Sequence, residues 1–174
     1  MRRLRRLASE SSGTTAIEFA ILAPMFVALL FTTFEVGWLV TKSTLLDRAL
    51  DTAIRDIRVG DAAAAKTQSA LVSAICDNVY VVKDCASALT VEMTRITSEK
   101  DFPATDAICV DRDGGVNPTV SFTPGSRAEI MFVRACLVSD ALTPYIGIAF
   151  HFVKDGKNGY SIVASSAFMN EPGD

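Results

Sequence analysis

Residues 13–40 read GTTAIEFAILAPMFVALLFTTFEVGWLV, and this stretch decides the fold. Between Ala16 and Val40, every residue other than Glu18 and Glu35 is apolar, small or threonine. As a helix, this stretch is about 37 Å long at about 1.5 Å per residue, enough to cross a hydrocarbon layer of about 30 Å. We expect Glu35 and Trp38 toward the outer interface. An acidic residue deep in a membrane costs roughly 2.5–3.5 kcal/mol, so Glu18 indicates a function and a partner.

The thirteen residues before the helix, MRRLRRLASESSG, form a basic leader with four arginines. The small, polar end of this leader precedes the apolar run, whereas a secretory signal has its cleavage site after the apolar run. Processing at Gly13 would therefore leave the helix attached to the protein. Because the arginines lie directly before the long apolar run, the positive-inside rule keeps the N-terminus in the cytoplasm and sends the chain after Val40 across the inner membrane.

This order of basic leader, glycine, acidic fifth residue and apolar helix resembles the type IV prepilin signal, with Thr14 as the first mature residue and Glu18 as the fifth. The stretch from Gly13 to Pro24 resembles more narrowly the TadE family of tight-adherence (Flp) pilus pseudopilins, and so does the sequence AFMNEP at 167–172. The resemblance implies cleavage between Gly13 and Thr14 by a prepilin peptidase. It further implies that Glu18 pairs with the new α-amino group of Thr14 on a neighbouring subunit. The alternative is a carboxylate near the membrane edge that is protonated or hydrated.

The rest of the chain predicts an α+β domain. Apolar residues from Leu45 to Ile57 recur at three- and four-residue spacing, so one helix should run from about Thr15 to about Val59. A second helix should start at Asp61, continue through the alanines at 62–65 and end near 76–80. Three antiparallel strands are predicted at 89–97, 128–138 and 161–169, and they should pack on the long helix as in pilin-type subunits. We thus divide the chain into a leader (1–13), a transmembrane helix (14–40), its periplasmic extension (41–60) and a periplasmic domain (61–174).

The four cysteines lie beyond the membrane segment, which suits an oxidising compartment. Disulfides are favoured over free structural thiols. A metal site is disfavoured because no Cys-x-x-Cys occurs and His151 is the only histidine. The pairing Cys76–Cys85 with Cys109–Cys136 closes the shortest loops, so we predict that pairing.

Other candidate sites are weak. The stretch that begins at Asp111 resembles the start of a calcium loop, but Val116 replaces the expected glycine and Phe122 the expected glutamate. A solvated turn is the better interpretation, and His151 lacks a nucleophile motif nearby. The formal charge is −3, and the leader contributes +3, so the chain from Thr14 onward carries −6, which disfavours nucleic acid. We expect no cofactor, no metal and no enzymatic activity.

The leading hypothesis is a minor pilin or pseudopilin that takes part in the assembly of a tight-adherence pilus from the inner membrane, in which it is a single-pass protein. The implied partners are the prepilin peptidase, sister pseudopilins, the major pilin, the inner-membrane assembly platform and the lipid bilayer, and the subunit could enter an extracellular pilus. Two alternatives stay open: a membrane-tethered periplasmic binding domain that does not polymerise, and a periplasmic enzyme with a signal anchor. The enzyme would need a polar pocket with clustered titratable groups.

Overall fold

The structure is a computed structural model that describes residues 13–59, 67–103, 106–114, 118–126, 128–143, 155–157 and 159–170. Its elements, in chain order, are helix α1 (Thr14–Val59), helix α2 (Gln68–Cys76), the short helix α3 (Cys85–Ala88), and strands β1 (Leu89–Ile96), β2 (Ile130–Asp140) and β3 (Gly159–Met169). A short 3₁₀ turn, Glu99–Asp101, follows β1. The predicted α+β class, with a long N-terminal helix and a three-stranded sheet, is confirmed.

Helix α1 is one continuous helix of 46 residues, and it passes through Pro24 without interruption. Its threonine hydroxyls donate hydrogen bonds to the carbonyl oxygens four residues earlier, as Thr32 does to Ala28 at 2.8 Å and Thr33 does to Leu29 at 2.9 Å. These bonds satisfy the hydroxyl groups within the helix itself, so the threonines do not prevent it from entering an apolar environment.

The sheet has the order β1-β2-β3, and both pairs of neighbouring strands are antiparallel. Successive side chains of a strand point to opposite faces, so the register places Leu89, Leu137 and Ile162 side by side on one face. This inner face and the second half of α1 share one hydrophobic core. The buried residues that α1 contributes are Leu46, Ala49, Leu50, Ala53 and Ile54.

Strand β1 differs from the half-buried strand that its alternating sequence predicts, because side chains on both of its faces are largely buried. The free edge of β1 is also covered, by the segment after Pro118. The Met93 amide donates to the Ser121 carbonyl at 2.9 Å, and the Thr123 amide donates to the Met93 carbonyl at 2.9 Å. This part of the connection between β1 and β2 therefore lies along the outer edge of the sheet.

Helix α2 begins later than predicted. Its N-cap is Thr67, whose hydroxyl accepts a hydrogen bond from the Ala70 amide at 3.2 Å, and its buried residues are Leu71 and Ile75. The predicted cap, Asp61, and the alanines after it lie outside the described residues. The apolar segment 144–152, with His151, and the last residues, 171–174, also lie outside them.

The direction of the sheet relative to α1 determines which end of the sheet lies nearer to the first half of the helix. Lys42 contacts Tyr160 near the start of β3, whereas Ile54 and Arg58 line a groove with Phe168 near its end. Because residue numbers rise together on the helix and on β3, the two elements run the same way. The end of antiparallel β2 therefore points toward the first half of α1.

Candidate membrane segment and its junction with the domain

The predicted cleavage site lies at the start of α1. Thr14 is the first helical residue, and Gly13 directly precedes it. A Cβ atom built on Gly13 would meet nothing within 4 Å. Packing within the described chain therefore does not require a glycine at this position.

The first half of α1 is an exposed apolar surface. It is long and apolar enough to cross a membrane. Glu18 is exposed within this surface, and it has no hydrogen bond or ion pair to any described residue. The exposed large apolar residues between 17 and 34 are Ile17, Phe19, Ile21, Leu22, Met25, Phe26, Val27, Leu29, Leu30, Phe31 and Phe34.

The second carboxylate of the predicted membrane segment, Glu35, has a different environment. Glu35 is only 1% exposed. Its Oε1 accepts a hydrogen bond from the Leu142 amide at 2.9 Å, and its Oε2 accepts from the Thr143 amide at 2.8 Å and from the Thr143 hydroxyl. The sequence predicted the depth of Glu35 toward the outer interface but not its partners: the carboxylate is buried against the domain, where it holds the chain that follows β2.

Lys42 lies two helical turns beyond Glu35, on the side of α1 that faces the sheet. Its Nζ donates to Ser139 Oγ at 2.7 Å, to the Asp140 carbonyl at 2.9 Å and to Tyr160 Oη at 3.3 Å. The same atom lies 5.5 Å from the centre of the Trp38 ring system and 5.4 Å from that of Tyr160, both within range of a cation–π interaction. Lys42 therefore joins α1 to the end of β2 and to the start of β3.

Burial shapes the protonation of this junction. Desolvation lowers the pKa of the Lys42 ammonium, against the opposing effect of the negative charges on Asp140 and Glu35. Desolvation also raises the pKa of the Tyr160 hydroxyl to about 12, and the same two carboxylates add to that increase. At neutral pH the tyrosine is therefore neutral, so it can accept a hydrogen bond from the lysine without adding charge.

Two disulfides cross-link the domain. Cys76 at the end of α2 is bonded to Cys85 at the start of α3, and Cys109 in the loop after β1 is bonded to Cys136 in β2. The second bond attaches the loop to the outer face of the sheet. On the same face, Arg134 forms a largely buried ion pair with Glu92.

The weaker candidates have local roles. Asp111 Oδ1 accepts hydrogen bonds from the amides of Asp113 at 3.1 Å and Gly156 at 3.2 Å, the first of which is typical of an Asx turn. In the described part of the chain, no group of three or more histidine, cysteine, aspartate or glutamate side chains is placed to hold a metal ion.

The comparison with known families concerns the segment that contains both carboxylates and the lysine. The family model of the TadE-like proteins matches residues 13–55. This segment is similar to the TadE-like proteins, and we call it the TadE-like segment. The match begins at Gly13, where cleavage is predicted, and it extends into the part of α1 that packs on the sheet. No curated protein and no solved structure gives a significant match to the chain. A TadE-like segment supports a role in the tight-adherence (Tad) pilus system.

Glu18 in the TadE-like segment was predicted from the sequence as a functional residue. The role of Glu35 was not predicted, and Lys42 was not considered. Their partners, Ser139, Leu142, Thr143 and Tyr160, are about a hundred residues away in the sequence. One signal was available. Glu35 and Lys42 are seven residues apart, which places opposite charges on one face of the helix, and the residues between them, 36–41, carry no charge.

Proposed function

We propose that this chain is a minor pilin or pseudopilin that takes part in assembly of a tight-adherence pilus. The observation that carries the proposal is the TadE-like match over residues 13–55, on a helix whose first half is apolar and exposed. In this proposal a prepilin peptidase cuts after Gly13, and the first half of α1 anchors the subunit in the inner membrane. The domain lies in the periplasm and has no enzymatic role.

The glycine at the proposed cleavage site fits this function. Because a Cβ atom at Gly13 would meet nothing within 4 Å, packing in the described chain does not explain the glycine. Recognition by a peptidase would explain it. The exposed position next to the first residue of α1 is accessible to such an enzyme.

Glu18 is the proposed assembly residue. Glu35 has three hydrogen-bond donors from its own chain, whereas Glu18 has none among the described residues. A carboxylate in an apolar environment needs a compensating cation or donors. The α-amino group that cleavage creates at Thr14 of a neighbouring subunit would supply that cation. The partners in assembly would be sister pseudopilins, the major pilin and the inner-membrane platform.

The test compares Glu18→Leu and Glu18→Asp with wild type in the host that carries the pilus system. We expect Glu18→Leu to be inserted and processed normally, because the helix becomes more apolar, but to lose cross-linking to sister pilins and to lose adherence. Glu18→Asp keeps the charge on a shorter arm and should retain part of the activity. Asp47→Asn is the matched control, because it removes an exposed carboxylate from the same helix outside the proposed membrane segment.

Intact-mass measurement tests the processing step separately. The mature chain should begin at Thr14. A membrane-extracted chain that still begins at Met1, in a host with its own peptidase, would contradict the cleavage. If Glu18→Leu assembles and adheres like wild type, a tethered domain that does not polymerise becomes the better interpretation.

One observation is relevant to the alternative function, a membrane-tethered binding domain that does not polymerise. An open groove of about 750 Å³ lies on the outer face of the sheet, and its walls include Arg134 and Asp155. These charged groups already have partners within the chain, since Arg134 pairs with Glu92 and Asp155 pairs with Arg112 at 2.6 Å. A ligand would have to compete with those ion pairs, so we place the binding domain second.

A further inference from the structure

The chain that follows β2 descends along α1 toward the proposed membrane segment. The Asp140 carbonyl binds Lys42, and two residues later the Leu142 amide binds Glu35, seven residues nearer the N-terminus of the helix. Helical side chains lean toward the N-terminus of their helix, so the Glu35 carboxylate lies over the preceding turn. Leu142 and Thr143 therefore sit at the level of residues 31–34.

That level coincides with the outer boundary expected for the hydrocarbon layer. Residues 14–34 give a helix of about 31 Å, which matches a hydrocarbon core of about 30 Å. Glu35 marks the limit, because from that residue onward one side of α1 is packed against the domain, whose backbone amides at Leu142 and Thr143 donate to Glu35 itself. Polar backbone of this kind is excluded from lipid-exposed positions in the hydrocarbon layer.

Large apolar side chains of both the helix and the domain are exposed at this boundary. Phe34 on the helix is 67% exposed, and Leu142 on the domain is 55% exposed. We name this pair the membrane-side rim. In water the rim would leave apolar surface uncovered, whereas the interfacial layer of a bilayer would cover it.

We propose that Leu142 inserts into the outer interfacial layer of the same bilayer that holds α1, so that the domain rests on the membrane surface. The occupant of the rim is lipid, because the rim continues the apolar surface of α1 at the depth where the helix leaves the hydrocarbon layer. Glu35 is a positioning residue that holds the Leu142 backbone at this depth. The inference rests on the membrane anchoring of the proposed function.

The test uses the full chain, reconstituted in vesicles of phosphatidylcholine and phosphatidylglycerol in which part of the acyl chains carry bromine, a quencher of tryptophan fluorescence. Trp38 is the only native tryptophan, so a Trp38→Phe background leaves one reporter. The reporter variant is Leu142→Trp. The matched control is Ile130→Trp, because Ile130 is similarly exposed, at 50%, but lies at the opposite end of β2, about 30 Å away along the strand.

We expect bromine to quench Leu142→Trp at least about twofold more strongly than Ile130→Trp, as for a side chain in the interfacial layer. Adding Glu35→Ala should lower the quenching of Leu142→Trp toward the control, while α1 stays resistant to carbonate extraction. Equal quenching of the two reporters would overturn the inference. Because the variants could fold poorly, the wild-type chain is also cross-linked with a photoactivatable lipid, which should label the peptide containing Leu142 more than that containing Ile130.

The outcomes separate the inference from the function on which it rests. If wild-type chain is extracted from membranes by carbonate, the anchoring fails and the inference fails with it. If the chain is anchored but neither bromine nor the lipid probe distinguishes the two positions, only the inference fails. A cross-linker placed at position 142 that captures a neighbouring protein in place of lipid would also overturn it.

Discussion

Replacing Glu35 by alanine should release the chain after β2 from helix α1. The change removes the acceptor of two backbone amides, those of Leu142 and Thr143, and of one hydroxyl. Each buried donor left without a partner costs about 1–3 kcal/mol. The hydroxyl can rotate toward another acceptor, and Leu142 and Thr143 are partly accessible to water. We therefore take the lower part of the range for the two amides, about 2–3 kcal/mol of local stability.

Hydrogen–deuterium exchange of the full chain in detergent measures this loss at the affected amides. Because 1.36 kcal/mol corresponds to a factor of ten, the protection of the Leu142 and Thr143 amides should fall by roughly 30- to 150-fold. The amides shared by β1 and β2 should keep their protection, since the core of the sheet is not changed. Glu35→Gln retains one acceptor oxygen and should fall between Glu35→Ala and wild type.

Glu18→Ala is a control variant. It removes a carboxylate from the same helix, at a position where no described hydrogen-bond donor contacts that carboxylate. We expect no change at Leu142 or Thr143 in this variant. Wild-type protection at those two amides in Glu35→Ala would refute the reasoning. An equal loss across the whole sheet would also refute it, because the effect would then be global.

Two further predictions concern pH and the disulfides. Burial raises the pKa of Tyr160 to about 12, above the value of about 10 in an unfolded chain, so its contribution to stability is complete below pH 10 and is lost as the pH rises toward 12. Absorbance at 295 nm should show a tyrosine that ionises near pH 12, and a Tyr160→Phe variant that kept this transition would contradict the assignment. Paired Cys→Ser replacement of Cys109–Cys136, which are 27 residues apart, should cost about 3.5 kcal/mol in the loop-entropy description, against about 2.6 kcal/mol for Cys76–Cys85, which are 9 apart. Urea unfolding of the two double variants measures the difference, and the reverse order would count against loop length as the cause.

The elements of this fold follow from short-range pattern. The spacing of Leu46, Leu50 and Ala53 predicted the second half of α1, because a helix repeats every 3.6 residues and those side chains are the ones buried. A strand was likewise predicted at 161–169, and β3 extends two residues further toward the N-terminus than expected. These features need information only from residues close together in the sequence.

The junction between helix and domain could not be predicted in the same way. Glu35 and Lys42 are buried because Ser139, Leu142, Thr143 and Tyr160 return to α1 from more than ninety residues away, and no local pattern encodes that contact. The burial of both faces of β1 also involves a long-range contact, since the loop after β1 is bonded to the outer face of the sheet through Cys109–Cys136. In both places a long-range contact buries residues whose burial the local sequence pattern does not indicate.

The two glutamates of the TadE-like segment differ in whether the domain supplies hydrogen-bond partners for them, and this difference indicates different roles. From sequence alone each is a carboxylate in an apolar helix and each requires a partner. The domain supplies the partners of Glu35, so this residue acts in the architecture of the subunit, and its loss should loosen the junction. No described residue supplies a partner for Glu18, so its loss should leave the junction intact and affect only contacts with other subunits. A variant pair that separates in this way, with Glu35→Ala altering exchange and Glu18→Leu altering assembly, would assign one carboxylate to the fold and the other to the pilus.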